Sequence, residues 1–287
     1  MQASHLNQAG KELYGRTAII AGNGTLPLTI ATVLQNQGKL PFLIILRNES
    51  DPKLYAFEHC EISIAEFSML IRSLKAARIS NVVLAGGIRT RPYWRDLCID
   101  SSMFRVLPRI FFSLTKGDDA LLRAFIKLVE AYGFRIVGAH EVAPTLLAPK
   151  KTILTKKYPN RQEKHNIALA FEAARQLGML DIGQGAVAVG GRVVALEGAE
   201  GTDNMLERIK QMRQVGSIAS VGGVLVKVMK PNQEKRADLP TIGPKTVENA
   251  YQAKLCGIAV EADYTFILDL EKTIKVADQY GMFIKTL

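Results

Sequence analysis

RTAIIAGNGTLPLTIATVLQNQG, residues 16–38, is the stretch that decides the fold. Arg16 to Ala21 is a short apolar run of strand length, and Gly22-Asn23-Gly24 follows it directly as a turn. The next segment, Leu26 to about Gln37, reads as a helix. Strand, tight glycine turn and helix in direct succession open a parallel α/β unit. Thr17 to Gly38 carries no charge, but Asn23, Gly24, Pro27, Gln35, Asn36 and Gln37 interrupt it, which excludes an ordinary membrane-spanning helix.

Working outward, Pro41 to Leu46 (PFLIIL) and Asn81 to Ala85 (NVVLA) read as buried strands, with an amphipathic helix, Ala65 to Arg78, between them. A helix runs from Asp118 to Gly133, and Phe134 to Gly138 is the next strand. Continuous apolar strands alternating with helices predict a Rossmann-like parallel sheet for residues 1–145, the first fifteen being a loose arm without a secretory leader. Residues 146–161 lie in a stretch with three prolines and five basic residues and are expected as a linker with a hinge. The remainder, 162–287, reads as a C-terminal mixed α/β domain. A helix from Glu163 to Leu177 leads to AVAV, Gly190-Gly191 and RVVALE, a hairpin with a primed turn. Then come a helix (Thr202 to Gln214), a strand (Val224 to Met229), a long polar loop (Lys230 to Lys245), a helix and a final strand-helix-strand.

Apolar residues make up 48% of the chain and charged ones 22%, which is globular composition. Lys and Arg number 37 against 27 Asp and Glu, and the excess is spread over both halves. A diffuse +10 suits an anionic ligand, an anionic lipid surface or RNA, and charge alone does not separate them. Three scattered cysteines, Cys60, Cys98 and Cys256, indicate neither a disulfide framework nor a zinc site and read as reduced thiols in a cytoplasmic protein.

Several short motifs have both a chemical and a structural reading. The Gly22-Asn23-Gly24 turn brings backbone N–H groups and a helix start toward phosphate, or is simply a tight turn. A dinucleotide fingerprint would need glycine at Pro27, and an acidic residue where Arg47 stands. Gly86-Gly87-Ile88-Arg89-Thr90-Arg91 is a phosphate clamp or a solvated loop. Lys116-Gly117-Asp118-Asp119 opens a helix, where the carboxylates cap it or hold Mg²⁺ against phosphate. Glu200-Gly201-Thr202-Asp203 caps a helix or contacts a nucleotide. His140-Glu141 reads as structural, with no second histidine at metal-ligand spacing. Most informative is the loop Lys230 to Pro244, long, polar, basic and stiffened by Pro231, Pro240 and Pro244, since long ordered loops are usually functional.

These motifs together resemble the UDP-2,3-diacylglucosamine pyrophosphatase family of the LpxI type, which serves lipid A biosynthesis. The resemblance runs through AGNGTLP (21–27), KGDDALLR (116–123), GAHEV (138–142), LDIGQGAV (180–187), EGTDNML (200–206) and ADLPTIG (237–243). It implies a Mg²⁺-dependent hydrolase that splits UDP-2,3-diacylglucosamine into UMP and 2,3-diacylglucosamine 1-phosphate (lipid X), with water directed at the sugar-side phosphorus. It also implies two domains with the ligand between them, a homodimer, transient contact with the cytoplasmic face of the bacterial inner membrane, and no nucleic-acid partner. The essential aspartate of the family's DLPTIG loop maps onto Asp238. The matched motifs, together with the Gly86–Arg91 loop and the Lys230–Pro244 loop, mark as substrate-binding Gly22, Asn23, Gly24, Leu26, Pro27, Gly86, Arg91, Lys116, Gly117, Gln184, Gly185, Glu200, Gly201, Thr202, Lys230, Gln233 and Thr241. Asp238, with Asp118 or Asp119, is the expected metal-binding set. The chain departs from the family pattern in about fifteen extra N-terminal residues and in Asn23, where relatives often have glycine.

Physical chemistry narrows the role of Asp238. An aspartate titrates near ~3.9 and a good general base near ~7, a lift worth roughly 4 kcal/mol, and Lys235, Arg236 and a bound Mg²⁺ all oppose it. Holding a metal or orienting water is therefore the expected work, with Lys116, Arg91 and Lys230 stabilising phosphate charge. Leu26, Leu107, Ile110, Phe111 and Phe112, beside Arg105 and Arg109, are candidates for an acyl-chain surface or for core. Two other functions fit the same residues: a nucleotide-sugar or dinucleotide enzyme of another reaction type, and an RNA- or membrane-surface-binding module.

Overall fold

The computed structural model describes residues 14–88, 118–231 and 233–287. They form two compact units that divide between Thr145 and Leu146. In the first unit, β1 (Arg16–Ala21) leads through the glycine turn into α1 (Leu26–Asn36), then β2 (Phe42–Leu46), β3 (His59–Ile62), α2 (Phe67–Ala76), β4 (Ile79–Ala85), α3 (Asp118–Ala131), β5 (Arg135–Ile136) and the single-turn α4 (Ala139–Val142). The strands lie in the order β3-β2-β1-β4-β5 and all pair in parallel. β2 is buried at every position, as a central parallel strand covered on both faces must be. α1 buries Pro27, Ile30, Ala31 and Leu34, and α2 buries Phe67, Leu70, Ile71 and Leu74, each a stripe at helical spacing.

β3 has no counterpart in the sequence reading. It is an edge strand, HCEI, in which only Ile62 is buried, so the apolar run that marks its neighbours is missing. The strand expected over 134–138 is regular only at Arg135 and Ile136.

The second unit contains α5 (Arg161–Met179), β6 (Gly185–Val189), β7 (Arg192–Leu196), α6 (Gly201–Gln214), β8 (Val224–Lys227), β9 (Thr241–Ile242), α7 (Pro244–Gln252), β10 (Gly257–Val260), β11 (Phe266–Ile267), α8 (Leu270–Gln279) and β12 (Phe283–Thr286). Its main sheet runs β12-β10-β8-β6-β7, with β8, β10 and β12 parallel and β6 antiparallel to both neighbours. β9 and β11 form a separate parallel pair. The β6–β7 hairpin turns at Gly190 (φ 61°) and Gly191 (φ 78°), the positive pair a primed turn requires. One face of the main sheet packs Val187, Leu225 and Ile258 against Met205, Leu206 and Ile209 of α6 and Val247 of α7. The other packs Ala186, Val226 and Phe283 against Ile167, Ala170 and Ala174 of α5.

The stretch expected as a linker, 146–161, is woven into this second unit. Ala148 is fully buried and its N–H donates to Thr265 O at 2.8 Å. Ile153 bridges Lys285, and the Leu154 N–H donates to Ile284 O at 3.0 Å. The physical reason lies in β12: as an edge strand it offers unpaired ladder groups, and this segment takes them.

Candidate active site

In the first unit the strand order reverses between β1 and β4, and the crevice beyond the carboxyl ends of such neighbours is where open α/β sheets place ligands. The two glycine loops leave the strands at that crevice and are laced together. Gly22 N–H donates to Ala85 O (2.8 Å), Asn23 N–H to Gly87 O (2.7 Å) and Gly87 N–H to Asn23 O (3.1 Å). A side chain at Gly22 would run into the Gly87 carbonyl, and one at Gly86 (φ 85°) into that of Asn23. Gly24 is also left-handed, at φ 95°. Glycine is thus required for close backbone approach. α1 begins at Leu26 beside this loop, with Pro27 in its first turn and no side-chain cap from Thr25.

Gly22, Asn23, Gly24, Leu26, Pro27 and Gly86 therefore gather at one strand edge. Arg91, Lys116 and Gly117, and the proposed acyl-surface residues 105–112, lie outside the described residues. Asp118 opens α3. Asp119 is 8% exposed and ion-pairs with Arg123 one turn on, at 2.5 Å. Glu141 Oε1 accepts the Gly138 N–H (2.9 Å) and closes the first turn of α4, a structural role.

In the second unit the loop that carries Asp238 leaves the carboxyl end of β8. It is pinned at several points. Met229 N–H donates to Glu261 Oε2 (2.9 Å), Lys230 Nζ pairs with Asp181 (2.8 Å), and Lys227 Nζ donates to Thr241 O (3.3 Å) at the loop's exit. Within it, Lys230 N–H donates to Gln233 Oε1 at 3.0 Å, and Gln233 Nε2 donates to Asp238 Oδ2. Arg236 forms a two-pronged pair with Glu234, both contacts at 3.0 Å, and Lys235 Nζ sits 4.4 Å from the Tyr264 ring centre. Asp238 itself is exposed on this framework. The cations expected to act on Asp238 and on phosphate are thus partly balanced by Asp181 and Glu234.

Gln184, Gly185, Glu200, Gly201 and Thr202 are brought together at the same edge of this sheet. Gly185 pairs in register with Lys227, and Glu197 N–H donates to Gly185 O at 2.9 Å, so Glu197, Gly185 and Lys227 occupy one row of the sheet. The Glu197 carboxylate lies over Gly185, where a Cβ would strike it. Its Oε1 accepts from Thr202 Oγ1 (2.9 Å), while Oε2 is buried without a hydrogen-bond partner among the described residues. Gln184 O accepts the Val228 N–H at 3.0 Å. Gly201 stands at φ 77°, and Glu200 turns its carboxylate to Arg208 (2.6 Å) in place of capping α6.

The sequence reading missed Glu197, Lys227 and Glu261. Glu197 and Lys227 are each 6% exposed. A charged residue inside an apolar run such as VLVKVM is the signal that could have singled out Lys227, because buried charges need partners.

Two α/β units, one with phosphate-suited glycine loops at a sheet switch point and one presenting a carboxylate among cations, define a protein built to handle an anionic, phosphorylated ligand. The sequence profile of the LpxI N-terminal domain matches residues 16–146 and that of the LpxI C-terminal domain matches residues 150–285. The chain belongs to the LpxI family. It is 38% identical over 271 residues, 94% of this chain and 96% of the relative, to the UDP-2,3-diacylglucosamine pyrophosphatase LpxI of Caulobacter vibrioides.

Proposed function

We propose that this chain hydrolyses the pyrophosphate of UDP-2,3-diacylglucosamine to UMP and 2,3-diacylglucosamine 1-phosphate in lipid A biosynthesis, with water attacking the sugar-side phosphorus. The observation that supports it best is the placement of Asp238: exposed, on a pinned loop that leaves the carboxyl end of β8, with its carboxylate gripped by Gln233. The family relationship names the substrate, and the loop supplies a group suited to acting on it.

The donor set fits a magnesium ion shared with the substrate. Among the described residues no cluster of three or more His, Cys, Asp or Glu could hold a metal by itself. Magnesium is commonly held by one or two carboxylates together with substrate phosphates, and Asp238 is the described carboxylate suited to that role. Bound there, the ion would neutralise charge developing on the diphosphate. The ion pair of Asp119 with Arg123 gives that carboxylate structural work.

Asp238 orients the attacking water, with Lys230 and Lys235 raising the local positive potential. In the first unit the N–H groups of Gly22, Asn23 and Gly87 are spent on lacing the loops, so the uncapped start of α1 at Leu26 is the part that offers backbone N–H groups to anionic oxygens. Residence in the cytoplasm, contact with the inner membrane and a homodimeric state belong to the same reading. The proposed contact is peripheral; among the described residues no helix is long and apolar enough to cross a membrane.

Incubation with UDP-2,3-diacylglucosamine in ¹⁸O-water tests the reaction. Label is expected in 2,3-diacylglucosamine 1-phosphate, with turnover abolished by chelation and restored by Mg²⁺. Label in UMP would overturn the site of attack, and full turnover in the chelator would overturn the metal.

A further inference from the structure

The two ends of the Gln233 side-chain amide face different partners. A backbone N–H only donates, so the Lys230 N–H, 3.0 Å away, requires the amide oxygen on its side. The NH₂ end is thereby turned toward Asp238, where it donates to Oδ2. The Gln233 main chain is fixed as well, its N–H donating to Lys230 O at 3.1 Å. Gln233 is 7% exposed, whereas Asp238 is exposed, so the amide stands behind the carboxylate on the protein side. A buried amide costs free energy unless both ends are satisfied, and the arrangement therefore resists reorientation.

Accepting that Asp238 acts in the reaction, we propose that Gln233 is a positioning residue that sets the rotamer of Asp238, and not a substrate contact. A loop aspartate has two side-chain torsions to lose, and small misplacements of a reacting group cost large factors in rate. The relay from the Lys230 N–H through Gln233 to Asp238 Oδ2 removes that freedom before substrate arrives. Lys230 lies three residues beyond β8 and is pinned by Asp181 in the turn that follows α5, so the carboxylate is referenced to the base of the loop and not to its tip.

Gln233→Glu separates this role from a merely structural one. The variant keeps an oxygen for the Lys230 N–H but presents a second oxygen to Asp238 where a donor stood. Kinetics with UDP-2,3-diacylglucosamine should show kcat reduced ~10–100-fold and KM within about twofold of the parent, in protein whose circular dichroism matches the parent's. Gln233→Met, which keeps the length and has no donor, should give the same split and serves if the added charge disturbs folding. In an Asp238→Asn background Gln233→Glu should cause no further loss. Wild-type kcat in both variants, or a raised KM at unchanged kcat, overturns the positioning role. The parent reading fails separately: Asp238→Asn with full turnover would remove it whatever Gln233 does. An inactive Asp238→Asn beside a fully active Gln233→Glu would sink the positioning role alone.

Discussion

At the scale of single residues, free energy concentrates where a side chain has no alternative placement. Asp238→Asn should cost ~100-fold or more in kcat, the magnitude expected when a preorganised charged group is neutralised, while circular dichroism and UMP binding stay as in the parent. Gly86→Ala forces a left-handed residue to carry a Cβ into the Asn23 carbonyl, a penalty of about 1–3 kcal/mol that thermal melts should register. Gly87→Ala, with open space at its Cβ, is the neutral control. Cys256 is a different case. Burial pushes its thiol pKa up, reinforced by a hydrogen bond with Glu163 and opposed by Lys157. The folded state therefore keeps a proton that the unfolded chain begins to release near its ordinary value of 9.0, so stability is full below that pH and falls as pH rises above it. Cys256→Ala should flatten that alkaline decline in denaturant titrations, and the wild-type thiol should alkylate slowly in the folded protein.

Elements were legible in proportion to how far burial wrote itself into the local pattern. β1, β2 and β4 are continuous apolar runs because helices cover both faces, and the Gly190-Gly191 hairpin announces itself through turn chemistry. β3 stayed hidden because an edge strand needs an apolar side chain on part of one face only. The segment 146–161 looked like a linker because its prolines and lysines mask what it does: it forms hydrogen bonds with β12 and with the end of α8. Thr152 N–H meets Thr286 Oγ1 at 2.7 Å, Thr155 Oγ1 accepts the Ile284 N–H at 2.9 Å, and Lys156 N–H reaches Asp278 at 2.7 Å. A fragment of residues 146–287 should consequently melt cooperatively, whereas one of residues 162–287 should lose on the order of 3–5 kcal/mol from several such bonds and the burial of Ala148. Equal melting temperatures for the two fragments would contradict this account.

Across the whole molecule, charge and topology act in ways no single segment announces. A formal net charge of +10 without a basic tail should draw the protein onto anionic vesicles. Flotation with phosphatidylglycerol vesicles should recover it at low salt and release it near ~0.5 M salt, where the Debye length has shrunk to a few ångströms; recovery independent of salt would point to apolar insertion. The sequence by itself determined the α/β class, the division into two units, the glycine loops and the position of Asp238, because each depends on local periodicity, turn chemistry or a contiguous motif. Tertiary structure alone decided that β1 and β4 are neighbours and so form the switch point, that Glu197, Gly185 and Lys227 share a row, and that Gln233 holds Asp238 from behind. The first two depend on strand order and register, which bring together residues distant along the chain; the third, between residues five apart, depends on how a single loop folds back on itself. A chain's local chemistry does not encode which of its strands will lie side by side; the packing of the completed sheet does.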